Sequence, residues 1–334
     1  MTGAARARVP ATSALREIQA PVAAGLEAVV EAMKHIITNE LPMIEQVSGH
    51  LLQMRGKMFR PTLSLLASET AGTPEPRVVT VAAVVELMHL ASLVHDDSVD
   101  HSALRRGLPT VNSLFSHQVS VIMGDFLYSR ALEALVALGD IDMMRVLTSV
   151  STQLTVGEMR QLAAVEALAF SEADYEALIQ AKTASLLGAA CETGAMCGAS
   201  RYREPLRRYG ERLGMAFQVA DDMLDYTGSS DETGKPSGLD LREQKVTLPL
   251  ILALPRFSSS ARSTVDALFA SDSPTDEQVD EVIALTAEAG GIEGARQRGE
   301  EYARQAEDAL DGLPDTPART ALADAILYVM DRRS

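Results

Sequence analysis

Two copies of one short acidic pattern, Asp-Asp-x-x-Asp, constrain this chain more than any other feature: Asp96, Asp97 and Asp100, then Asp221, Asp222 and Asp225. Each lies in a stretch that otherwise reads as an apolar helix, LMHLASLVHDDSVD and GMAFQVADDMLD. Residues i and i+4 share a helix face, so Asp96 stacks on Asp100 and Asp221 on Asp225. Stacked like charges destabilise a helix by about 0.2–0.5 kcal/mol per pair. Carboxylates converging at an effective dielectric of ~20 repel by about 4 kcal/mol per close pair. A fold that brings the two patterns together must therefore supply cations. Hard divalent ions suit oxygen ligands, and Mg²⁺ takes one or two carboxylates and completes its shell with water and phosphate. The pattern predicts a cavity where two helices, carrying these residues mid-helix, clamp a polyphosphate through Mg²⁺. One copy alone usually marks a solvated helix face; two copies in apolar surroundings ask for a wet pocket.

Composition points to helices as well. Nearly half the residues are hydrophobic (46%) and Trp is absent, so the core is built from Leu, Ala, Val and Met. Few β-branched or aromatic residues cluster into runs, which favours an all-helical protein. The net charge of −16, with no Lys/Arg-rich block, argues against nucleic acid or an anionic membrane as the main partner. An anionic substrate must then be met by a local basic patch and metal. Cys191 and Cys197 sit six apart on a small-residue helix, beyond disulfide reach. They read as core fillers, which fits a reducing cytoplasm. The N-terminus lacks the apolar core of a signal peptide, and no run of about 18 apolar residues exists, so a soluble protein is expected.

Helical periodicity predicts helices near 12–33, 39–54, 60–71, 78–101, 109–117, 119–136, 140–166, 171–197, 202–227, 246–254, 259–269, 276–288, 291–311 and 316–332. Gly- and Pro-rich breaks such as GTPEP (72–76), RRGLPT (105–110) and GLPDTP (312–317) separate them. The segment 228–243, GSSDETGKPSGLDLRE, reads as a long loop directly after the second acidic pattern, and its position and Lys235 suggest a lid. The Ala-rich, acidic helices beyond residue 258 read as scaffold.

Basic residues complete a candidate site. Lys57 and Arg60 lie three apart in RGKMFRP, and Arg105 and Arg106 follow the first acidic pattern. Arg suits a bidentate grip on phosphate and Lys a point-charge contact. Lys182 and Thr183 open AKTASLL, where a charge interrupts an apolar helix; Lys235 and Lys245 flank the end of the loop. His89 is seven before Asp96, hence on the same helical face. Taken singly, each has a bland reading as surface charge or satisfied core residue.

Taken together and in order, these segments resemble the trans-polyprenyl diphosphate synthases, the head-to-tail isoprenyl chain elongation enzymes. The resemblance runs over most of residues 55–254: GKMFRP, ELMHLASLVHDDSVDHSALRRGLPT, MGDFLYSRA, VGEMRQL, AKTASLLGAA, FQVADDMLDYTG and GKPSGLDLREQKVTLPLI. Arg55 stands where the family often has Gly, Ser98 where an apolar residue is usual, and Gln244 where Gly commonly precedes Lys245. The last bears on loop closure, since Gly is the permissive residue. The resemblance implies an all-α fold of antiparallel helices around a central cavity, as one domain over 1–334 with its catalytic core at about 55–254 and the C-terminal helices part of the same fold. It implies three Mg²⁺ ions between the acidic helices. Asp96, Asp100 and Asp221 would be direct ligands, with Asp97, Asp222 and Asp225 acting directly or through water. Arg105, Lys182, Lys235 and Lys245 would draw charge from a leaving diphosphate. Thr183 and Gln218 would offer dipoles to an allylic cation. Lys57, Arg60, His89 and Arg106 would hold isopentenyl diphosphate without metal. A homodimer is the family's usual state.

Ala91 and Ser92, five and four residues before Asp96, are small, and Met88 a turn below is flexible. In this family bulky aromatics there stop growth early, so the resemblance implies a product of about six to ten isoprene units, as used for a quinone side chain. Alternatives are a short-chain farnesyl or geranylgeranyl synthase, a class I terpene cyclase, and a partner subunit of a heteromeric synthase. The cyclase leaves GKMFRP, His89 and RRG without a role, and a partner subunit would have lost residues this chain keeps.

Overall fold

The computed structural model describes residues 11–54, 56–163, 167–228, 238–271 and 273–331. Arg55 and Lys235 lie outside them. The chain begins with α1 (Ala11–Gln19), α2 (Ala23–Ile37), α3 (Pro42–Gln53), α4 (Phe59–Glu69) and α5 (Arg77–Val99). The helix predicted over 12–33 is interrupted by a 3₁₀ turn, Ala20–Val22, because Pro21 cannot donate to a continuous helix. A two-stranded hairpin follows, β1 (Leu104–Arg105) and β2 (Leu108–Pro109), in antiparallel register. It replaces what the sequence offered only as a break. Arg106 and Gly107 both have positive φ, 53° and 76°, the backbone of a type I′ turn.

Next come α6 (Val111–Leu114), α7 (His117–Ala137), α8 (Ile141–Ala163), α9 (Glu172–Ile179), α10 (Ser185–Met196) and α11 (Arg203–Thr227). Ser116 caps α7 by accepting from the Val119 N–H, which is why the helix expected over 109–117 ends early. A π-helical turn, Gln180–Ala184, splits the helix expected over 171–197. The chain closes with α12 (Leu239–Arg242), α13 (Leu248–Ala253), α14 (Ser259–Phe269), α15 (Asp276–Glu288), α16 (Gly291–Ala309) and α17 (Pro317–Met330). The described residues are thus almost wholly helical, as composition predicts.

α5 is the central helix, packed against α2, α4 and α7, while α11 packs against α10 and α16. Val81 through Val85 and Leu87 are fully buried. α10 closes on α4 through Gly194, where a Cβ would lie 2.1 Å from the Ser64 carbonyl oxygen; only glycine permits that approach. One apolar core runs from Leu15 to Val329, and a smaller cluster joins Tyr226 and Leu241 to α13, α14 and α15. Cys191 and Cys197 are both free and buried, consistent with their reading as core fillers. By length and composition α5 could cross a membrane, which the search for apolar runs missed, but 67% of its apolar window is buried inside the protein. It is built as a core helix.

Candidate active site

The acidic patterns lie at helix ends, not mid-helix. α5 stops at Val99 with Asp100 as its cap, and α11 stops at Thr227. Carboxylates in the last turns add to the negative end of the helix dipole, which sharpens the need for cations. Asp96 is half-buried, and burial raises its carboxyl to about 6, with Glu158 and Asp100 pushing upward and Lys182 and Arg105 pulling down.

Hydrogen bonds tie Asp97, Asp222 and Asp225 to neighbouring elements. Asp97 accepts from Arg105 Nε at 2.6 Å. Asp222 is buried and accepts the Tyr175 hydroxyl at 2.6 Å on one oxygen and Gln218 Nε2 at 2.8 Å on the other. Burial pushes Asp222 up to about 8 despite those bonds. Asp225 accepts the backbone N–H groups of Leu239 (2.9 Å) and Asp240 (3.0 Å), so it caps the short helix α12. Asp97, Asp222 and Asp225 are therefore engaged in holding the site's frame. Asp96 is half-buried, and Asp100 and Asp221 are exposed.

The expected cations stand around them. Lys182 pairs with Glu158 and donates to Gln161 Oε1 at 2.9 Å. The π turn carries both Lys182 and Thr183; such turns insert one residue and redirect side chains. α8 approaches this turn through Gly157, where a Cβ would meet Ala181 Cβ at 2.9 Å. Lys245 pairs with Glu243 at 2.7 Å and lies in the field of Asp100 and Asp240. Thr183 donates to Gln218 Oε1 at 2.8 Å. With its amide NH₂ on Asp222, Gln218 turns its carbonyl to Thr183.

Lys57, Arg60, His89 and Arg106 line one cavity of about 440 Å³. Three separate segments supply them. Met58 has φ 52° and starts α4, turning Lys57 and Arg60 into the cavity. Gln19 straps this turn, donating to the Lys57 carbonyl (2.8 Å) and Thr62 Oγ1 (3.0 Å). From the hairpin, Arg106 reaches back to donate to the Met54 carbonyl at 2.7 Å. Burial and the charges of Arg60, Arg106 and Arg105 hold His89 well below its usual range, so it is a neutral imidazole. A diphosphate would find here fixed positive charge and neutral donors without any metal.

Among the lining residues that sequence reasoning did not name are Glu86, Phe217 and Tyr328. Glu86 faces Arg60 and Arg106, which pull its carboxyl down while burial raises it; a Glu three before His89 on an apolar helix was a usable signal. Phe217, next to Gln218, and Tyr328 also line the cavity. Tyr328 corrects the reading of the C-terminal helices as scaffold. The chain-length candidates do not line this cavity: Met88 and Ala91 are buried in the core, and Ser92 Oγ donates to the His89 carbonyl.

Among the described residues, no three of His, Cys, Asp and Glu converge closely enough to form a metal site by themselves. The donor set is nonetheless all carboxylate oxygen, which fits a hard divalent ion that takes its other ligands from water and phosphate.

A family model described as polyprenyl synthetase matches residues 41–286. The all-trans-nonaprenyl-diphosphate synthase (geranyl-diphosphate specific) of Rhodobacter capsulatus is 36% identical over 319 residues, covering 95% of this chain and 98% of that protein. Among solved structures, a decaprenyl diphosphate synthase from Rhodobacter capsulatus superposes with TM-score 0.90 at 35% identity, covering 96% of this chain and 99% of the other. A polyprenyl synthase from Caulobacter crescentus, complexed with calcium and isoprenyl diphosphate, superposes with TM-score 0.89 at 33% identity, covering 96% and 98%.

Proposed function

This chain is a prenyltransferase of the polyprenyl synthetase family, and we propose that it condenses isopentenyl diphosphate with an allylic diphosphate to make an all-trans product of about six to ten isoprene units. The observation that carries this is the pairing of two unlike anion sites: a basic cavity that needs no metal and two carboxylate-bearing helix ends that do. A class I cyclase leaves the first without a role.

Asp96, Asp100 and Asp221 would hold Mg²⁺, three ions in our reading, with Asp97, Asp222 and Asp225 keeping the frame. When bound, the metal supplies charge neutralisation to a leaving diphosphate. Lys182, Arg105 and Lys245, joined by Lys235, receive the remaining charge as the allylic C–O bond breaks and its electron pair leaves with the diphosphate. Thr183 Oγ and the Gln218 carbonyl, fixed by the chain from Tyr175 through Asp222, offer negative dipole ends to the cation. Lys57, Arg60, His89 and Arg106 hold isopentenyl diphosphate so that its double bond attacks the cationic carbon. The new C–C bond forms, and loss of a proton to the departing diphosphate leaves an allylic product one unit longer. Exclusion of water prevents quenching to an alcohol.

The chain works, in this proposal, as a single-domain cytoplasmic homodimer without nucleic acid. Exposed Val121, Ile122 and Val136 on α7 and Ile141 on α8 support self-association. The deciding experiment incubates purified protein with Mg²⁺, farnesyl diphosphate and labelled isopentenyl diphosphate, and reads product length by chromatography. Long prenyl diphosphates support the proposal; no incorporation with several primers overturns it.

A further inference from the structure

We propose that Tyr328, on the C-terminal helix, is a substrate-binding residue whose hydroxyl donates to the diphosphate of isopentenyl diphosphate; this rests on the reading of the basic cavity given above. Tyr328 is 5% exposed and lines that cavity. Its ring is held from two sides: the Phe59 ring centroid is 5.9 Å away, and Lys57 Nζ stands 5.6 Å from the Tyr328 centroid. Phe59 in turn stacks on Phe217 at 6.4 Å. Packing therefore fixes where the hydroxyl points.

That hydroxyl is buried and has no hydrogen-bond partner. Buried polar atoms are nearly always paired, and an exception calls for a missing ligand or a function. Of the buried hydroxyls left so among the described residues, Tyr328 is the one that lines the cavity. Glu86, which also lines the cavity, leaves its own Oε2 unmatched. Lys57, Arg60 and Arg106 are donors only, and they cannot accept from a phenol. A ligand rich in acceptors is what matches the Tyr328 hydroxyl together with these three cations, and a diphosphate is such a ligand.

Tyr328→Phe isolates the hydroxyl, because the ring, the stack on Phe59 and the contact with Lys57 remain. Calorimetry on metal-free protein with isopentenyl diphosphate, and separately with inorganic diphosphate, reads the anion contact without turnover. The variant should weaken both by about 10- to 100-fold, the size of one hydrogen bond to a charged group. KM for isopentenyl diphosphate should rise in step, with KM for farnesyl diphosphate and kcat unchanged. A merely structural hydroxyl moves neither split. Equal affinity in parent and variant, or a loss confined to isopentenyl diphosphate, overturns the role of Tyr328. Lys57→Ala serves as the reference: if it too leaves affinity unchanged, the reading of the cavity itself falls.

Discussion

Gly56→Ala tests how the two basic segments interlock. A Cβ on residue 56 would sit 2.4 Å from Nη1 and 2.5 Å from Cζ and Nη2 of Arg106, where ordinary contact begins at 3.4 Å. The guanidinium lies face-on against the glycine and must withdraw by about 1 Å, the difference between those distances. It is the end of a flexible side chain, so the fold can yield. Its bond to the Met54 carbonyl, 2.7 Å long, cannot survive the shift, and its alignment with Glu86 goes with it. A hydrogen bond from a charged group is worth about 1.5–3 kcal/mol, so losing the trained position of Arg106 should raise KM for isopentenyl diphosphate about 10- to 100-fold. KM for farnesyl diphosphate should stay within about two-fold, because the proposed mechanism binds that substrate at the acidic helices. Steady-state kinetics with each substrate varied in turn would show the split. Gly49→Ala, in α3 with nothing within 4 Å of the new Cβ, is the control and should be neutral or stabilising by up to about 1 kcal/mol. An unchanged KM for isopentenyl diphosphate in a folded Gly56→Ala protein would refute the argument that Gly56 makes room for Arg106.

Three further outcomes follow from the structure. Burial raises Asp96 to about 6, Asp240 to about 7 and Asp222 to about 8 from 3.8, so each stabilises the fold while protonated and loses that contribution as pH rises through its folded value. Scanning calorimetry of metal-free protein should therefore show the midpoint falling between about pH 4 and pH 8, and Mg²⁺ with inorganic diphosphate should raise it more at the higher pH; a flat metal-free profile contradicts this. Ala91→Phe should shorten the product; since Ala91 is 2% exposed, overpacking should also cost about 1–3 kcal/mol, and an unchanged chain length places the floor of the elongation cavity elsewhere. Gln244 has φ 55°, a left-handed backbone that costs a side-chain-bearing residue about 1–2 kcal/mol, while its side chain donates to the Ser271 carbonyl at 2.8 Å. Gln244→Gly removes strain, a bond worth about 0.5–1.5 kcal/mol and about 0.4–1 kcal/mol of unfolded-state restraint; urea titration should find stability within about 1 kcal/mol of the parent.

The acidic and basic residues were legible in the sequence because charges are rare in apolar helices, and each interruption of the pattern asks for a chemical reason. Lys182 was found that way, while Lys57 with Arg60, and Arg105 with Arg106, stood out by their spacing and their place beside the first acidic pattern. Gln244 was legible too, as a residue standing where glycine is usual, and its positive φ explains the oddity. Glu86 passed unnoticed although helix periodicity set it beside His89. The division of labour among the six aspartates was not legible. Asp221 and Asp222 are neighbours, yet one is exposed and the other is buried beneath Tyr175 and Gln218.

Local spacing by itself indicated the helical class, the shared faces within each helix and the chemistry those faces could support, because all three depend on contacts between residues a few positions apart. Only the tertiary structure decided which partner each charge takes and that Tyr328 stands beside Lys57. Those contacts join residues far apart in the chain, and they follow from how whole helices pack, which no window of the sequence contains.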